Sequence, residues 1–187
     1  VYNVCGKIDK VMLLTFLHTA DRRGEIFRLN WGDIDFVNKT IRLSTKKRLD
    51  GTLEYDLLPM TDVLAEALYS HFSTSSTFTV FTNQSGNPHL EQKKFMPRVC
   101  KKAQVKPFGF HAIRHLTATT LYHNGHDVAT IQAILRHKSP STTERYLKTL
   151  GLEKVKNALD SLSKIISFED HLNKKADQAA DQGALRL

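Results

Sequence analysis

The sequence predicts a mainly α-helical domain of the α+β class with one small three-stranded antiparallel sheet. Three short β-type runs follow one another early in the chain: Asp33–Phe36, Thr40–Ser44 and Leu53–Leu58. Most other segments have apolar residues at helical spacing instead. The 187 residues suffice for one domain with a real hydrophobic core.

Two helical segments are expected before the sheet, Lys10–His18 and a shorter one at Arg22–Leu29. Within the sheet, Val37–Lys39 is predicted to form a tight turn, and Lys46–Thr52 a polar loop with an Asp-Gly pair at its tip. Two hairpins in succession place the three strands side by side, so the sheet should be antiparallel.

Helices are expected to dominate after the sheet, at Val63–Phe72, Leu90–Ala103, Phe110–Asn124 and Asp127–Arg136. Thr61 is suited to cap the first of them, and Pro97 should kink the second or start a turn in it. A brief strand is predicted at Thr79–Phe81. Ser139–Ser141 is predicted to begin a further helix that contains Tyr146.

The charge balance indicates a polyanionic partner. The chain has 27 Lys+Arg against 19 Asp+Glu, a formal net charge of +8. The last twenty residues contain three cations and four anions, so residues 1–167 carry +9. A cationic folded body favours binding to nucleic acid, because neutralising phosphates releases counterions.

Cysteine usage and hydropathy favour a cytoplasmic protein. Cys5 and Cys100 form neither a metal-type cluster nor a disulfide framework, which is typical of a reducing compartment. No apolar run reaches membrane-spanning length, and nothing resembles a signal peptide, so no membrane partner is expected.

Residues 111–146 contain the chemistry-bearing side chains. His111, Arg114 and His115 come first, followed by His137 and Tyr146. Arginine matches phosphate oxygens with a planar donor fork, and histidine moves protons near neutral pH. A tyrosine becomes a covalent nucleophile when a base takes its proton. Together these are the groups needed for a phenol to attack a phosphodiester.

This order of residues resembles the tyrosine recombinase, or phage integrase, family. Catalytic domains of that family carry His-x-x-Arg-His, then Leu-Gly-His, then a tyrosine about nine residues later, as in His111–His115, Leu135–His137 and Tyr146. Upstream, Thr19–Ile26 is similar to the family motif Thr-Gly-x-Arg-x-x-Glu. The resemblance covers roughly residues 8–150.

The resemblance implies the DNA breaking-rejoining fold and six catalytic residues: Arg22, Lys46, His111, Arg114, His137 and Tyr146. The two arginines would bind the phosphate, and Tyr146 would be the nucleophile. His111 would be a general acid/base, and His137 a donor to a non-bridging oxygen. Lys46 would protonate the leaving 5′-oxygen, with Lys47 as the alternative.

Five further cations are expected to contact DNA: Arg23, Lys47, Arg48, Arg136 and Lys138. Two positions depart from the family pattern. Arg136 stands where glycine is usual, so either the turn before His137 differs or Arg136 reaches DNA. Asp21 stands where an apolar residue is common, and it is expected to pair with a neighbouring arginine. Glu25 is expected to orient an arginine or the sheet.

A metal site is the competing interpretation of the histidines. His111 and His115 are four residues apart on one helical face. Ala112, however, stands where a metalloprotease motif has glutamate, and no further His/Cys/Asp cluster is evident. We therefore expect no metal and no cofactor, with His115 as a structural core histidine.

The resemblance implies a site-specific recombinase that integrates or excises a mobile element through a 3′-phosphotyrosyl intermediate. The alternatives are a type IB topoisomerase, which religates the same strand, and a non-catalytic DNA-binding relic of the fold. The compact, bacterial-style spacing of the motifs favours a recombinase of bacterial or phage origin.

The domain organisation follows from the same resemblance. Residues 1–167 are expected to form the catalytic domain, and residues 168–187 a polar, flexible tail. By this resemblance the chain is expected to lack the family's N-terminal DNA-clamping domain. An apolar stripe in 152–166 is expected to dock on a neighbouring subunit of a homotetramer on double-stranded DNA, the free protein being a monomer. Accessory DNA-bending or excision factors are further expected partners.

Overall fold

A helical layer packs around the first long helix of the chain, α1 (Lys7–Thr19). In the computed structural model, the described residues are 1–46, 53–83, 85–89, 92–137, 139, 141 and 143. They all belong to the unit Val1–Thr143. One face of α1 is apolar and buried, and it packs against α3 (Asp62–Phe72) and α5 (Phe110–His123). The central position of α1 follows from this continuous apolar face.

The predicted three-stranded antiparallel sheet is confirmed. Its strands are β1 (Ile34–Asp35), β2 (Thr40–Lys46) and β3 (Leu53–Pro59), in the order β1-β2-β3. Ile41 of β2 lies opposite Ile34 on one side and Leu58 on the other. Ile41 and Leu43 are fully buried, so the alternation of β2 directs its apolar residues towards the core.

Two predicted helices are shorter in the structure than in the sequence analysis. The segment after α1 forms only one turn, α2 (Arg23–Ile26), because the chain then extends and Asn30 forms a β-bridge with Thr79. The same bridge replaces the predicted strand Thr79–Phe81. The helix expected from Leu90 is α4 (Phe95–Lys102), which places Pro97 in its first turn, where a missing N–H costs nothing.

The other described helices agree with the sequence. Thr61 caps α3 by accepting a hydrogen bond from the backbone N–H of Leu64. Asp127 caps α6 (Val128–Leu135) by accepting one from Thr130. The helix expected to contain Tyr146 lies outside the described residues, as do the loop 47–52 and everything from 144 onward.

Four phenylalanines join α1, α2, α4 and α5 in the core: Phe16, Phe27, Phe95 and Phe110. The rings of Phe16 and Phe110 stack with centroids 4.5 Å apart, and the rings of Phe95 and Phe110 stack at 5.8 Å. Phe110 begins α5, so this cluster fixes the start of the helix that carries His111 and Arg114. Within the described part of the chain, no helix has the length and apolar character needed to cross a membrane.

Candidate active site

Arg114 is the structural centre of the candidate site. Its side chain is buried, with the residue only 2% exposed. One guanidinium nitrogen, Nη1, donates to the carbonyl of Ala20, and Nη2 donates to the carbonyl of Leu135. Ala20 follows α1 and Leu135 ends α6. One side chain of α5 therefore ties together the two segments that lead to Arg22 and His137.

Arg22 lies at the N-terminal cap of α2 and is held by Glu25. Its Nη1 donates to Glu25 Oε1 at 3.0 Å, and its backbone N–H donates to Oε2 at 3.1 Å. The Arg22 side chain is 48% exposed, whereas that of Glu25 is 3% exposed. The buried carboxylate therefore orients a guanidinium that still faces solvent, which confirms the predicted role of Glu25.

The electrostatics identify this region as a cluster of cations. Burial, together with repulsion from Arg22 and Arg136, lowers the pKa of Arg114 to about 10. Arg114 remains a cation at neutral pH. Glu25 and Asp21 offset part of the repulsion among the guanidinium groups, and the remaining repulsion favours an anion beside Arg22 and Arg114.

His137 follows Arg136, the C-cap residue of α6, and is neutral at physiological pH. Burial lowers its pKa to about 4, with repulsion from Arg114, Arg22 and His111 as the next causes. Its Nδ1 is 2.8 Å from the hydroxyl of Thr143. When Thr143 donates in this hydrogen bond, the imidazole proton is on Nε2, which is the tautomer able to donate to a phosphate oxygen.

His111 lies in the first turn of α5 and is exposed. Together with Arg22 and Arg23 it lines an open cleft of about 800 Å³. The structure therefore brings Arg22 and His111 to one cleft and joins Arg22 to His137 through Arg114. Arg23, expected to contact DNA, is exposed on the wall of the same cleft.

Several predicted residues lie outside the described part of the site. The backbone of Lys46 ends β2, where it pairs with Leu53, but its side chain is not among the described atoms. Four further residues lie outside the described ranges altogether: Lys47, Arg48, Lys138 and Tyr146. Their roles stay predictions.

The structure corrects the expected role of Arg136. Its side chain is 5% exposed and contacts three carboxylates instead of solvent. Nη2 forms an ion pair with Asp21 and is 2.6 Å from Glu25 Oε2, and Nε is 3.6 Å from Asp56 Oδ2. A guanidinium enclosed by these acids does not extend towards DNA. The expectation that Asp21 pairs with an arginine is confirmed, with Arg136 as the partner.

His115 is also placed differently from the prediction. It was expected in the core, but it is exposed, and its ring meets that of His111 edge-on with centroids 4.8 Å apart. The reason is helical geometry: the buried face of α5 is the one that carries Ile113, Arg114 and Thr117. Among the described residues, no group of three His, Cys, Asp or Glu side chains is arranged to hold a metal ion.

Sequence reasoning missed the groups that hold the catalytic candidates in place. These are the carbonyls of Ala20 and Leu135, the hydroxyl of Thr143 and the carboxylate of Asp56. Backbone carbonyls carry no sequence signal. A signal for the Arg136 contacts did exist, because an acid at 21 and a base at 136 both replace the usual residues of the motifs.

Comparison with known proteins establishes the family. The sequence profile of the Phage integrase family matches residues 3–151, which is most of the chain. The chain belongs to the phage integrase family. Its curated relatives include tyrosine recombinase XerC of Chlamydia muridarum (strain MoPn / Nigg), 29% identical over 153 residues. Another is tyrosine recombinase XerD of Staphylococcus saprophyticus, 28% identical over 152 residues.

These matches cover 76% and 75% of the integrase-family chain but 47% and 50% of the relatives. The chain thus spans about half the length of the curated relatives it matches.

Solved structures share the fold. XerA recombinase superimposes with a TM-score of 0.64 at 24% identity, covering 75% of this chain and 53% of that one. XerH recombinase bound to palindromic difH substrate gives 0.62 at 22% identity, with coverages of 83% and 48%.

The lowered pKa of His137 predicts how this integrase-family domain responds to acid. The folded pKa lies below the ordinary value of 6.5. The contribution of neutral His137 to the free energy of unfolding is therefore fully present above pH 6.5 and is lost as the pH falls towards 4. An NMR titration of the imidazole should show a neutral ring from pH 8 to about 5. A midpoint at or above 6.5 would contradict the enclosed, cation-flanked position of the ring.

Proposed function

We propose that this chain is the catalytic domain of a site-specific DNA recombinase that cleaves and rejoins strands through a covalent tyrosine intermediate. The observation that carries the proposal is the position of Arg114, which joins the Arg22 and His137 segments in one cationic cluster. Membership of the phage integrase family supports it. The residues and their order match the chemistry of phosphodiester transfer.

In the proposed reaction, Tyr146 Oη attacks phosphorus and forms a 3′-phosphotyrosyl bond while the bond to the 5′-oxygen breaks. The phenolic proton passes to His111, and Lys46 supplies a proton to the leaving 5′-oxygen. Religation by a 5′-hydroxyl of a different strand exchanges partners. Because the phosphotyrosyl bond conserves the energy of the phosphodiester, neither ATP nor a metal is chemically required.

The cations act on the transition state. A pentavalent phosphorane has more negative charge on its equatorial oxygens than the ground-state diester, so fixed guanidinium groups stabilise it preferentially. Two donors of Arg114 are used by the carbonyls of Ala20 and Leu135. Further donors among its five N–H groups would bind the phosphate, together with Arg22 and neutral His137.

Double-stranded DNA is the proposed substrate. Solved relatives of the same fold include the Tn1549 transposon integrase in complex with DNA and XerH bound to its difH substrate. The charge of +9 on residues 1–167 and the exposed Arg22, Arg23 and His111 suit such a partner. We propose integration or excision of a mobile element as the biological role.

A nicked suicide substrate tests the proposed chemistry. The protein should accumulate a covalent DNA adduct, and the yield should be unchanged in EDTA, because arginines and lysine replace metal functions here. Loss of the adduct in EDTA with recovery on adding zinc would instead support the metal interpretation of His111 and His115. Supercoil relaxation without strand exchange would indicate a topoisomerase, and DNA binding without any adduct a non-catalytic relic.

DNA affinity should fall steeply with salt. If about five phosphates are contacted, each doubling of the monovalent salt concentration should weaken binding by about 20-fold. Fluorescence anisotropy with a labelled duplex measures this dependence. An affinity that stays constant between low and physiological ionic strength would contradict a phosphate-tracking surface.

The C-terminal segment is proposed to assemble the synaptic complex. Five large apolar residues in 152–166 recur at steps of three and four, a stripe that an isolated helix would expose: Leu152, Val155, Leu159, Leu162 and Ile166. We expect it to dock on a neighbouring subunit of a tetramer on DNA. Deleting everything after Gly151 should leave a folded protein whose subunits cleave DNA in a poorly coordinated way. Normal recombination by the truncated protein, or its unfolding as a monomer, would exclude this role.

A further inference from the structure

The ion pair between Asp21 and Arg136 is buried beneath the candidate active site. The side chains are 0% and 5% exposed, respectively. Nη2 of Arg136 lies directly against Oδ1 of Asp21, so the two opposite charges attract each other at close range. A buried charge without a partner is strongly unfavourable. Each of these two residues therefore offsets the cost of burying the charge of the other.

Arg136 is connected to Arg22 through a shared carboxylate. Oε2 of Glu25 accepts from Arg136 Nη2 at 2.6 Å and from the backbone N–H of Arg22 at 3.1 Å. Oε1 of the same carboxylate accepts from Arg22 Nη1 at 3.0 Å. The orientation of Glu25 is thus determined by two arginines at once, one buried and one facing the cleft.

The backbone of Arg136 also directs His137. Arg136 ends α6 in the left-handed conformation, with φ 50° and ψ 45°. This turn lets the N–H of His137 bond to the carbonyl of Gln132 at 3.2 Å, which closes the helix. Glycine is the residue that this conformation favours, so arginine is strained here and its side-chain contacts must offset the cost.

The preceding carbonyl links this turn to Arg114. Leu135, the residue before Arg136, accepts the hydrogen bond from Arg114 Nη2. Asp21, the residue after Ala20, follows the carbonyl that accepts from Nη1. The ion pair of Asp21 with Arg136 therefore joins the same two chain segments that Arg114 joins, and it does so directly beside the Arg114 contacts.

We propose that Arg136, neutralised by Asp21, is a positioning residue: it holds Glu25 so that Arg22 faces the cleft, and it fixes the turn that delivers His137. This inference rests on the proposed recombinase function. Removing Asp21 leaves Arg136 to compete with Arg22 for Glu25. Removing the Arg136 charge leaves Asp21 buried without a cation and frees Glu25 to move.

A double-mutant cycle with isosteric neutral residues tests this coupling. The variants are Asp21→Asn, Arg136→Gln and the two combined. Each single variant should lower the single-turnover rate of adduct formation at saturating DNA by about 10²-fold, as expected for a small misplacement of catalytic groups. DNA affinity should change little. The double variant should cleave no more slowly than Arg136→Gln alone, because Asp21 acts only through Arg136.

An exposed ion pair provides the matched control. Lys39 Nζ and Asp62 are joined by a salt bridge whose side chains are 53% and 76% exposed. Lys39→Gln, Asp62→Asn and their combination should leave the cleavage rate unchanged, since such surface pairs contribute little. Arg136→Lys guards against misfolding of the glutamine variant. It keeps the charge that Asp21 needs but lacks the fork, so it should fold and still cleave more slowly.

The imidazole NMR signal of His137 gives a readout that does not depend on catalysis. It should shift in each single variant, and the double variant should show the same shift as Arg136→Gln alone. If the wild type forms no adduct while the NMR cycle shows this coupling, the proposed function fails and the positioning role stands. If the wild type cleaves but the losses of the single variants add in the double variant, the positioning role fails and the function stands.

Discussion

Replacing Arg114 with alanine is expected to abolish DNA cleavage and to destabilise the domain. The substitution leaves the carbonyls of Ala20 and Leu135 buried without their donors. Each unsatisfied acceptor costs about 1–3 kcal/mol, so the free energy of unfolding should fall by about 2–6 kcal/mol. The cleavage rate should fall by at least about 10²–10³-fold, the usual effect of losing a donor to a transition-state oxyanion.

Urea unfolding followed by the fluorescence of Trp31, the single tryptophan of the chain, measures the stability change. Arg98 provides the matched control, because its side chain is 72% exposed and lies on another helix. Arg98→Ala should change neither stability nor cleavage appreciably. An Arg114→Ala protein with wild-type stability would show that the two carbonyl contacts do not hold the site together.

Replacing Tyr146 with phenylalanine should remove the covalent adduct completely while DNA binding is retained. The change deletes only the nucleophilic oxygen, and no other group is proposed to take its place. The adduct is measured by denaturing gel electrophoresis with a nicked suicide substrate, and binding by anisotropy. Tyr69→Phe, at an exposed position of α3, is the control and should form the adduct normally. An undiminished yield from the Tyr146 variant would refute the nucleophile assignment.

Much of the fold was predictable because its signals are local. The β-type run of β2 and the capping residue Thr61 are determined by neighbouring residues, and the structure confirms both. The helix ends at α2 and α4 were not predictable in the same way. The end of α2 depends on a bridge between Asn30 and Thr79, two residues that are far apart in the sequence.

The candidate site shows the same division between local and distant signals. The motif spacing predicted Arg22, Arg114 and His137, and the structure joins all three segments. The environment of a charged side chain, however, depends on distant partners. Arg136 was expected to reach DNA, or to mark a different turn, because it stands where the family usually has glycine. Asp21 and Glu25 from another part of the chain enclose it instead.

The stability of the domain should depend on pH through Asp21 and His137. Burial raises the pKa of Asp21 to about 7, while Arg136 opposes that increase. Because the pKa of Asp21 is raised, its contribution to the free energy of unfolding is fully present below pH 3.8 and is lost as the pH rises through 7. His137 has the opposite dependence, since its folded pKa is lowered. Protonation of His137 therefore destabilises the domain at low pH, and ionisation of Asp21 destabilises it at high pH. The ion pair with Arg136 limits the loss of stability at high pH.

Mass spectrometry of the trapped adduct is the most direct test of the central claim that Tyr146 attacks a phosphodiester in this site. The wild-type protein is incubated with the nicked suicide substrate, treated with nuclease and cleaved after glutamate. We expect a nucleotide on the peptide 145–153, where Tyr146 is the single tyrosine. A nucleotide on any other residue, or a protein that binds the substrate and carries none, would contradict it.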